Sequence, residues 1–430
     1  MDEPAIEELG AAALIDRLRR RELSAEQVVR ACLERIARDE PRVQAWAHLD
    51  AERALAAARA LDAGPPRPPL FGLPVGVKDI IDTADAPTEC GTAIYRGRRP
   101  VRDAACVATL RGAGAVILGK TVTTELAYFQ PGPTRNPLNP AHTPGGSSSG
   151  SAAAVAACMV PAALGTQTAG SIIRPAAFCG IVGFKPSHGL LSMEGIHPFA
   201  PSLDTLGLLV RAVEDVAPLL AALGAPLEVP RRSGAPRIGL WRTAQWSRAT
   251  SAMQERLEAV ATELGRAGAS VREVTLGPEE LALSEAQALV MASEAVESYG
   301  ALLGSGGPGP GAHVREILAR GGSIPANELR EARARAGRAR EAAAAALAEV
   351  DVLLTPSAPG EAPEGLGSTG DPVFNRVPTL LGLPCLSLPA GVGPSGLPLG
   401  VQLVGAPRGE GMLIGVAGWV ESRLAPAVGG

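Results

Sequence analysis

From about residue 71 the chain consists of short apolar runs separated by glycine and proline, and this pattern constrains the fold more than any other feature. LPVGVKDIID and GAVILGK fit buried strands, because strands covered on both faces are near-continuous apolar runs. SAAAVAACM is typical of a helix and PAALGTQ of a strand, and after TAGS the run IIRPAAFCG can begin a helix. This alternation predicts an α/β fold built in layers.

The two ends of the chain frame this core. The segment LSAEQVVRACLERIA starts with Ser24 and Gln27 at capping-box spacing and continues with an apolar stripe, which predicts a helix. Near the other end, DVLLTPS, LPCLSLPAG and LGVQLVGA return to strand-like runs, so we expect one sheet that receives strands from both ends. The Gly/Pro-rich stretch 303–313 predicts a loop. The expected organisation is a single domain over 1–430, divided into N-terminal helices (5–63), a central core (71–215), a helical insertion (225–350) and a C-terminal return to the sheet (350–424).

Charge and hydropathy exclude several kinds of partner. A formal net charge of −4 gives no electrostatic basis for binding nucleic acid or an anionic membrane. The start MDEPAIEELG lacks the basic and apolar segments of a signal peptide, and no stretch reaches the roughly 18 apolar residues of a membrane span. We therefore expect a cytoplasmic protein with no nucleic-acid or membrane partner. The sequence does not decide whether the chain forms a homodimer.

Cysteine and histidine spacing gives no sign of a metal. None of the six cysteines forms a CxxC pair, and the five histidines lack the HExxH spacing that places two ligands on one helical face. The sequence therefore predicts neither a disulfide framework nor a metal site.

Lysine is rare in this chain. Only three of the 40 basic residues are lysines, namely Lys78, Lys120 and Lys185, and the rest are arginines. An ε-amine can lose its proton at accessible pH, whereas a guanidinium cannot. A surviving lysine is therefore a candidate for proton transfer, with chance or local packing as the alternative.

The stretch 114–121, GAVILGKT, matches the pattern GxxxxGK[ST] of a phosphate-binding loop. In a true loop the variable residues form a turn whose N–H groups face the phosphates, with a helix behind it. Here those residues are Ala, Val, Ile and Leu, which themselves predict a strand. Nucleotide binding is thus a remote alternative, and Lys120 is expected to be a buried structural residue with a hydrogen-bonded partner.

A serine nucleophile needs a base, and the histidines offer no evident one. Lys78 lies among apolar residues in VGVKDII, where burial can hold an amine neutral, although an ion pair with Asp79 or Asp82 is the alternative. Ser171 is the best-placed nucleophile because TAGS follows a predicted strand and opens a helix, although helix capping would favour the same position. N–H groups at that turn, from Thr168, Ala169 and Gly170 (168–170), would face a developing oxyanion.

The run GGSSSGSAAAVAACMVPAALGTQTAGSIIRPAAFCGIVGFKP, with VGVKD upstream, resembles the amidase signature family. The resemblance extends to the flanking stretches RNPLNPAHTPGG, SLDTLGLLVRAVEDVA and FNRVPTLLGLPCLSLPAG. It implies a large mixed β-sheet flanked by helices on both faces, and amide hydrolysis through an acyl-enzyme without a cofactor. It also implies a Ser–Ser–Lys triad in which Ser171 is the nucleophile, Ser147 bridges through a cis peptide bond, and Lys78 is the base.

The sequence departs from the pattern Asp-Thr-Gly-Gly-Ser-Ile-Arg that this family usually shows. Gln167 stands in place of the Asp, Ala169 in place of a Gly, and Arg174 lies one position later than expected. These changes leave the triad in place, alter its surroundings, and weigh against the alternative function of a glutaminase-type subunit in a tRNA-dependent amidotransferase.

The substrate is expected to be a small-molecule amide, and the sequence does not identify it. Candidate pocket residues lie in segments outside the signature run, with core packing as the alternative reading of their aromatic side chains: Tyr128, Phe129, Gln130, the loop from Ile196 to Phe199, Phe374 and Asn375.

Overall fold

The computed structural model describes residues 4–64, 68–230, 234–304 and 308–424. Within these ranges eleven strands form one sheet. In chain order they are β1 (Trp46–Leu49), β2 (Pro74–Lys78), β3 (Val116–Thr121), β4 (Ala162–Gln167), β5 (Val182–Lys185), β6 (Thr205–Val210), β7 (Arg237–Leu240), β8 (Ser270–Glu273), β9 (Val352–Pro356), β10 (Cys385–Val392) and β11 (Pro398–Val404).

The strand order across the sheet is β1-β3-β2-β4-β6-β5-β10-β11-β9-β7-β8. Strand β2 pairs in parallel with both β3 and β4, whereas β6 runs antiparallel to β4 and to β5. Because β2 and β4 are parallel neighbours, their carboxyl ends meet at one edge of the sheet. Lys78, the last residue of β2, is thereby placed beside the turn that follows Gln167 at the end of β4.

Thirteen α-helices surround the sheet in the described ranges: α1 (Ala11–Arg19), α2 (Ala25–Val43), α3 (Ala51–Ala63), α4 (Ala105–Gly112), α5 (Ser149–Ala156), α6 (Ile173–Cys179), α7 (Val216–Ala222), α8 (Ser251–Arg266), α9 (Glu280–Tyr299), α10 (Ala312–Gly322), α11 (Ala326–Glu349), α12 (Val373–Leu380) and α13 (Glu410–Glu421). Helix α2 begins with the predicted capping box, in which the Ser24 hydroxyl accepts from the Gln27 amide and the Gln27 side chain accepts from Ser24.

The apolar core lies on both faces of the sheet. Successive residues of β4 alternate between two clusters, because side chains along a strand point to opposite faces. Ala162 and Leu164 join the larger cluster with α8 and α9, and Ala163 joins the second with α2, α3 and α5. The expected mixed α/β sheet flanked by helices on both faces is confirmed.

Three details differ from the sequence-based expectation. Segment 5–63 holds strand β1 as well as helices, and 225–350 contributes β7 and β8 to one end of the sheet, so neither is purely helical. These strands are only four residues long, and β1 and β8 are partly exposed edge strands with weak apolar signals. Of the predicted loop 303–313, residues 305–307 lie outside the described residues, and α10 already begins at Ala312.

Among the described helices, none combines the length and apolarity that a membrane crossing requires.

Candidate active site

Lys78 is completely buried, and its side-chain amine contacts the hydroxyl of a serine. Its Nζ lies 2.7 Å from Ser147 Oγ and 2.8 Å from Thr166 Oγ1. Burial penalises the charged form and lowers the pKa of Lys78 to about 7, whereas the nearby Asp204 carboxylate acts in the opposite direction. Near neutral pH a large fraction of Lys78 is therefore unprotonated and able to accept a proton.

The alternative ion pairs of Lys78 do not form. Asp79 lies instead 3.1 Å from Nζ of Lys120, and Asp82 binds Arg98 through two hydrogen bonds of 2.7 and 2.8 Å. Among the described carboxylates, none hydrogen-bonds Lys78. Lys78 thus differs from the other buried lysine of this region in having no carboxylate partner.

The stretch that matches the phosphate-binding pattern, 114–121, is largely a strand, and its lysine, Lys120, has partners within the protein. Residues Val116–Thr121 form β3, which is buried along its whole length and paired on both sides, so its N–H groups belong to the sheet. Lys120 donates to the Thr88 hydroxyl in addition to its ion pair with Asp79. The prediction of a strand with a structural lysine is confirmed.

The run GGSSSGS forms a tight turn and the first three residues of α5. The peptide bond between Gly146 and Ser147 is cis, and Gly145 adopts φ +80°, a backbone conformation that favours glycine. The other serines hold this turn against the sheet: Ser148 Oγ donates to Thr166 O, Ser149 Oγ to Val122 O and Ser151 Oγ to Leu164 O. These hydrogen bonds support the turn, and the side chain of Ser148 at the start of α5 makes no capping hydrogen bond.

Ser171 lies on the turn between β4 and α6, with 9% of its surface exposed. A hydrogen bond of 3.4 Å from the Ser148 amide to the Ser171 carbonyl connects this turn to the segment that carries Ser147. Ser147 and Ser171 face one cavity, whose wall is formed by Ala127, Tyr128, Phe129, Ser147, Thr168, Ala169, Ser171, Arg174, Phe199, Met291 and Thr369.

Gln167 organises the turn that carries Ser171. Its Oε1 accepts from the amides of Ile172 and Ile173, at 2.9 and 3.1 Å, and its Nε2 donates to the Thr379 hydroxyl at 3.0 Å. The Thr379 hydroxyl in turn donates to the Ala169 carbonyl at 2.9 Å. A neutral amide thus holds the start of α6. The same turn also contacts a buried carboxylate, because the Thr168 hydroxyl donates a hydrogen bond to Asp204.

The backbone of 168–170 uses its carbonyl groups, and not its amides, in hydrogen bonds. Its three carbonyls accept from the Gln287 side chain, the Thr379 hydroxyl and the Arg174 amide, at 2.9–3.0 Å. In the part of the chain that the structure describes, none of the three N–H groups donates a hydrogen bond. Two of the three residues, Thr168 and Ala169, also belong to the cavity wall.

The candidate substrate residues divide into two groups. Tyr128, Phe129 and Phe199 line the cavity, and the Tyr128 ring stacks on Phe199 with a centroid distance of 5.1 Å. The other four are not part of its wall: Ile196 and Phe374 pack in the core, Asn375 is buried and donates to the Ser357 carbonyl, and Gln130 is exposed.

Several cavity residues could not be found from the sequence pattern. Met291 comes from α9 and Thr369 from the loop before α12, both more than a hundred residues from Ser171, so no local pattern links them to the site. Arg174 stands out in the sequence only as a displaced arginine, although its position three residues after Ser171 is a usable signal. In the described ranges, no three or more His, Cys, Asp or Glu side chains converge as metal ligands do.

The chain is similar to known proteins over nearly its whole length. The profile of the Amidase family matches residues 27–414. A glutamyl-tRNA(Gln) amidotransferase subunit of Solidesulfovibrio magneticus is 35% identical over 97% of this chain and 97% of its own length. Among solved structures, the peptide amidase from Stenotrophomonas maltophilia is 32% identical, covers 98% of both chains and has a TM-score of 0.83. The corresponding amidotransferase subunit from Thermotoga maritima is 26% identical, with 99% coverage of both chains and a TM-score of 0.81. The chain therefore belongs to the amidase family and is an enzyme that hydrolyses amide C–N bonds.

Proposed function

We propose that the protein hydrolyses a small-molecule amide with Ser171 as nucleophile, Ser147 as proton bridge and Lys78 as base. The observation that carries this proposal is the 2.7 Å contact between Lys78 Nζ and Ser147 Oγ at the cavity that also contains Ser171. A neutral lysine can accept a proton from a serine hydroxyl at this distance.

In the proposed reaction, Lys78 takes the proton of Ser147 while Ser147 takes the proton of Ser171. The Ser171 oxygen attacks the amide carbonyl carbon, and the negative oxygen that forms is stabilised by the N–H groups of 168–170. The relay returns the proton to the leaving nitrogen, the C–N bond breaks, and an ester to Ser171 remains. Water then attacks this ester by the same relay, which releases the acid and restores the serine.

The test of this proposal uses the purified chain alone. It is expected to release ammonia or amine from simple aliphatic or aryl amides, and a fluorophosphonate, which reacts with activated serines, is expected to label Ser171. A wild-type protein that shows neither hydrolysis nor labelling would contradict the proposal.

The rate is expected to depend on pH through Lys78. The required form is the neutral amine, which predominates above the pKa, so kcat/KM should rise with pH and level off above about pH 7. Removing the Asp204 charge lowers the pKa of Lys78 further, and Asp204→Asn should move the rising limb to lower pH. The Cys90 thiol acts in the same direction as Asp204 but is held neutral by burial, which raises its pKa. A flat profile between about pH 5 and about pH 9 in the wild type would disprove the neutral-lysine mechanism.

A second candidate function is that of a glutaminase in a multi-subunit amidotransferase. It is favoured by the 35% identity to an amidotransferase component over nearly the whole chain, and Gln167 in place of an aspartate weighs against it. The two functions differ in their dependence on partners. We expect the lone chain to hydrolyse amides at a rate that partner proteins and charged tRNA do not change. Activity that appears only in their presence, with glutamine as the amide, would favour the second function instead.

A further inference from the structure

Gln287 is a completely buried side chain that binds the turn before Ser171. It lies on α9, and its Nε2 donates to the Thr168 carbonyl at 3.0 Å, across 119 positions of the chain. Its Oε1 accepts from Nη1 of Arg376, on α12, at 2.8 Å. One side chain therefore connects two helices that are remote in the sequence to this turn.

The two partners of Gln287 require a side chain that both donates and accepts. A guanidinium has only donors, and a carbonyl oxygen has only acceptor sites. The group between Arg376 and Thr168 must therefore accept on one side and donate on the other. The amide of glutamine does both without a charge, and its orientation is fixed by the same two partners.

The Thr168 carbonyl belongs to the peptide group that also carries the N–H of Ala169. A trans peptide is planar, and its C=O and N–H bonds point in opposite directions. A side chain that holds the Thr168 oxygen therefore also fixes the direction of the Ala169 N–H. In the described part of the chain this N–H donates no hydrogen bond, and Ala169 shares the cavity wall with Ser171.

The next peptide group of the turn is held from α12. The Ala169 carbonyl accepts from the Thr379 hydroxyl at 2.9 Å, and the same peptide group carries the N–H of Gly170. Gly170 itself packs closely against α12, since a Cβ atom there would lie 2.5 Å from Asn375 Oδ1 and 2.7 Å from Pro372 Cβ. Contacts from α9 and α12 thus fix two successive peptide groups of the turn.

We propose that Gln287 is a positioning residue for the hydrolysis, and that it directs the Ala169 N–H at the negative oxygen formed when Ser171 attacks the amide carbonyl. The proposal rests on the proposed function and adds to it a residue from the segment 225–350, outside the signature run. Gln287 acts through the peptide group of Thr168 and Ala169, and it is not part of the cavity wall. An N–H that is fixed before the reaction stabilises the new charge without reorganisation.

The experiment compares Gln287→Met with Gln287→Glu, because both side chains have nearly the length of glutamine and neither can donate to Thr168. Methionine has no N–H, and a glutamate beside Arg376 is held ionised and has no proton to donate. The glutamate still offers an acceptor to Arg376, so the two variants differ in packing and charge but share the missing donor. For propionamide and benzamide, kcat should fall by about 10- to 100-fold in both variants, with KM within about threefold of the wild type.

The matched control is Gln402→Met. Gln402 is also completely buried, and its Nε2 donates to the carbonyls of Pro356 and Phe374 at 2.9 and 3.0 Å, outside the cavity wall. This variant should lose thermal stability while its kcat stays within about threefold of the wild type. Equal losses of kcat in Gln402→Met and Gln287→Met, at an equal drop in the unfolding midpoint, would show a general structural effect and overturn the positioning role.

The rate of fluorophosphonate labelling is a second measurement, and it does not depend on the substrate. Attack on phosphorus also places negative charge on an oxygen, so labelling of Ser171 should slow by a similar factor in both Gln287 variants. If the wild type is active and labelled, and the Gln287 variants keep both rates within about threefold or change KM alone, the positioning role fails and the proposed function stands. If the wild type is neither labelled nor active on any amide, the proposed function fails, and the role of Gln287 fails with it.

Discussion

Replacing Ser171 with alanine is expected to abolish amide hydrolysis, with a loss of kcat/KM of about 10⁴-fold or more. The substitution removes the oxygen that forms the acyl-enzyme, and water in the cavity is not a substitute because it is not held by the relay. Labelling by the fluorophosphonate should disappear in the same variant. Because the side chain loses one atom at a 9% exposed position, the thermal unfolding midpoint should change little.

The matched control is Ser149→Ala, in the same glycine- and serine-rich run. Ser149 is buried and makes a 3.3 Å hydrogen bond to the Val122 carbonyl, and it is not part of the cavity wall. This variant should keep hydrolysis within a few-fold of the wild type. Persistent labelling of Ser171→Ala would show that another serine is the nucleophile, and the second candidate is then Ser147.

Replacing Lys78 with arginine is expected to lower kcat/KM by about 10²–10⁴-fold. Arginine preserves the positive charge but does not release its proton, so it cannot serve as the base for Ser147. Lys78→Met, which is neutral and of similar length, should be equally inactive because it removes the proton acceptor without adding volume. The measurement is kcat/KM at a pH where the wild-type rate no longer rises, together with the rate of fluorophosphonate labelling. The labelling rate should also fall.

Lys185→Arg is the control for this substitution. Lys185 is likewise completely buried at the end of a strand, but its Nζ donates to the Pro186 carbonyl and lies outside the cavity wall. If both arginine variants lose activity in parallel with their thermal stability, the loss at Lys78 reflects overpacking. Near-normal turnover of folded Lys78→Arg would rule out the neutral-lysine base.

Local patterns were sufficient for much of the fold. The capping box at Ser24 and Gln27 requires residues three apart, and the strands β2, β3 and β4 are continuous apolar runs, so both could be predicted without knowledge of remote contacts. The short strands β1, β7 and β8 were missed because four residues at the end of a sheet carry little hydrophobic signal. Their place in the sheet depends on the neighbour that pairs with them.

The candidate site was predictable in part. Burial among apolar residues made Lys78 a candidate base, and the turn before a helix made Ser171 a candidate nucleophile. The resemblance to the amidase signature family added Ser147, 24 residues before Ser171, as the bridge between them. The substrate residues were harder to predict, and four of the seven candidates do not line the cavity. Ile196 and Phe374, for example, have the same apolar character whether they pack in the core or face a substrate. Only packing separates them from Phe199, which lines the cavity.

By itself, the sequence determined the α/β layering and the family, because both are encoded in local patterns of residue types. The resemblance to the family in turn gave the candidate residues of the relay. The tertiary structure decided which carboxylates pair with which lysines. It places Lys78 at 2.7 Å from a hydroxyl 69 residues away, and it pairs the nearby Asp79 with Lys120. It also decided that Arg174 is buried at the cavity with unused donors. The physical reason is that burial and charge balance depend on the segments that the fold brings together. Whether a buried lysine is neutral, or a buried arginine has all its N–H groups paired, is decided by the groups that pack around it.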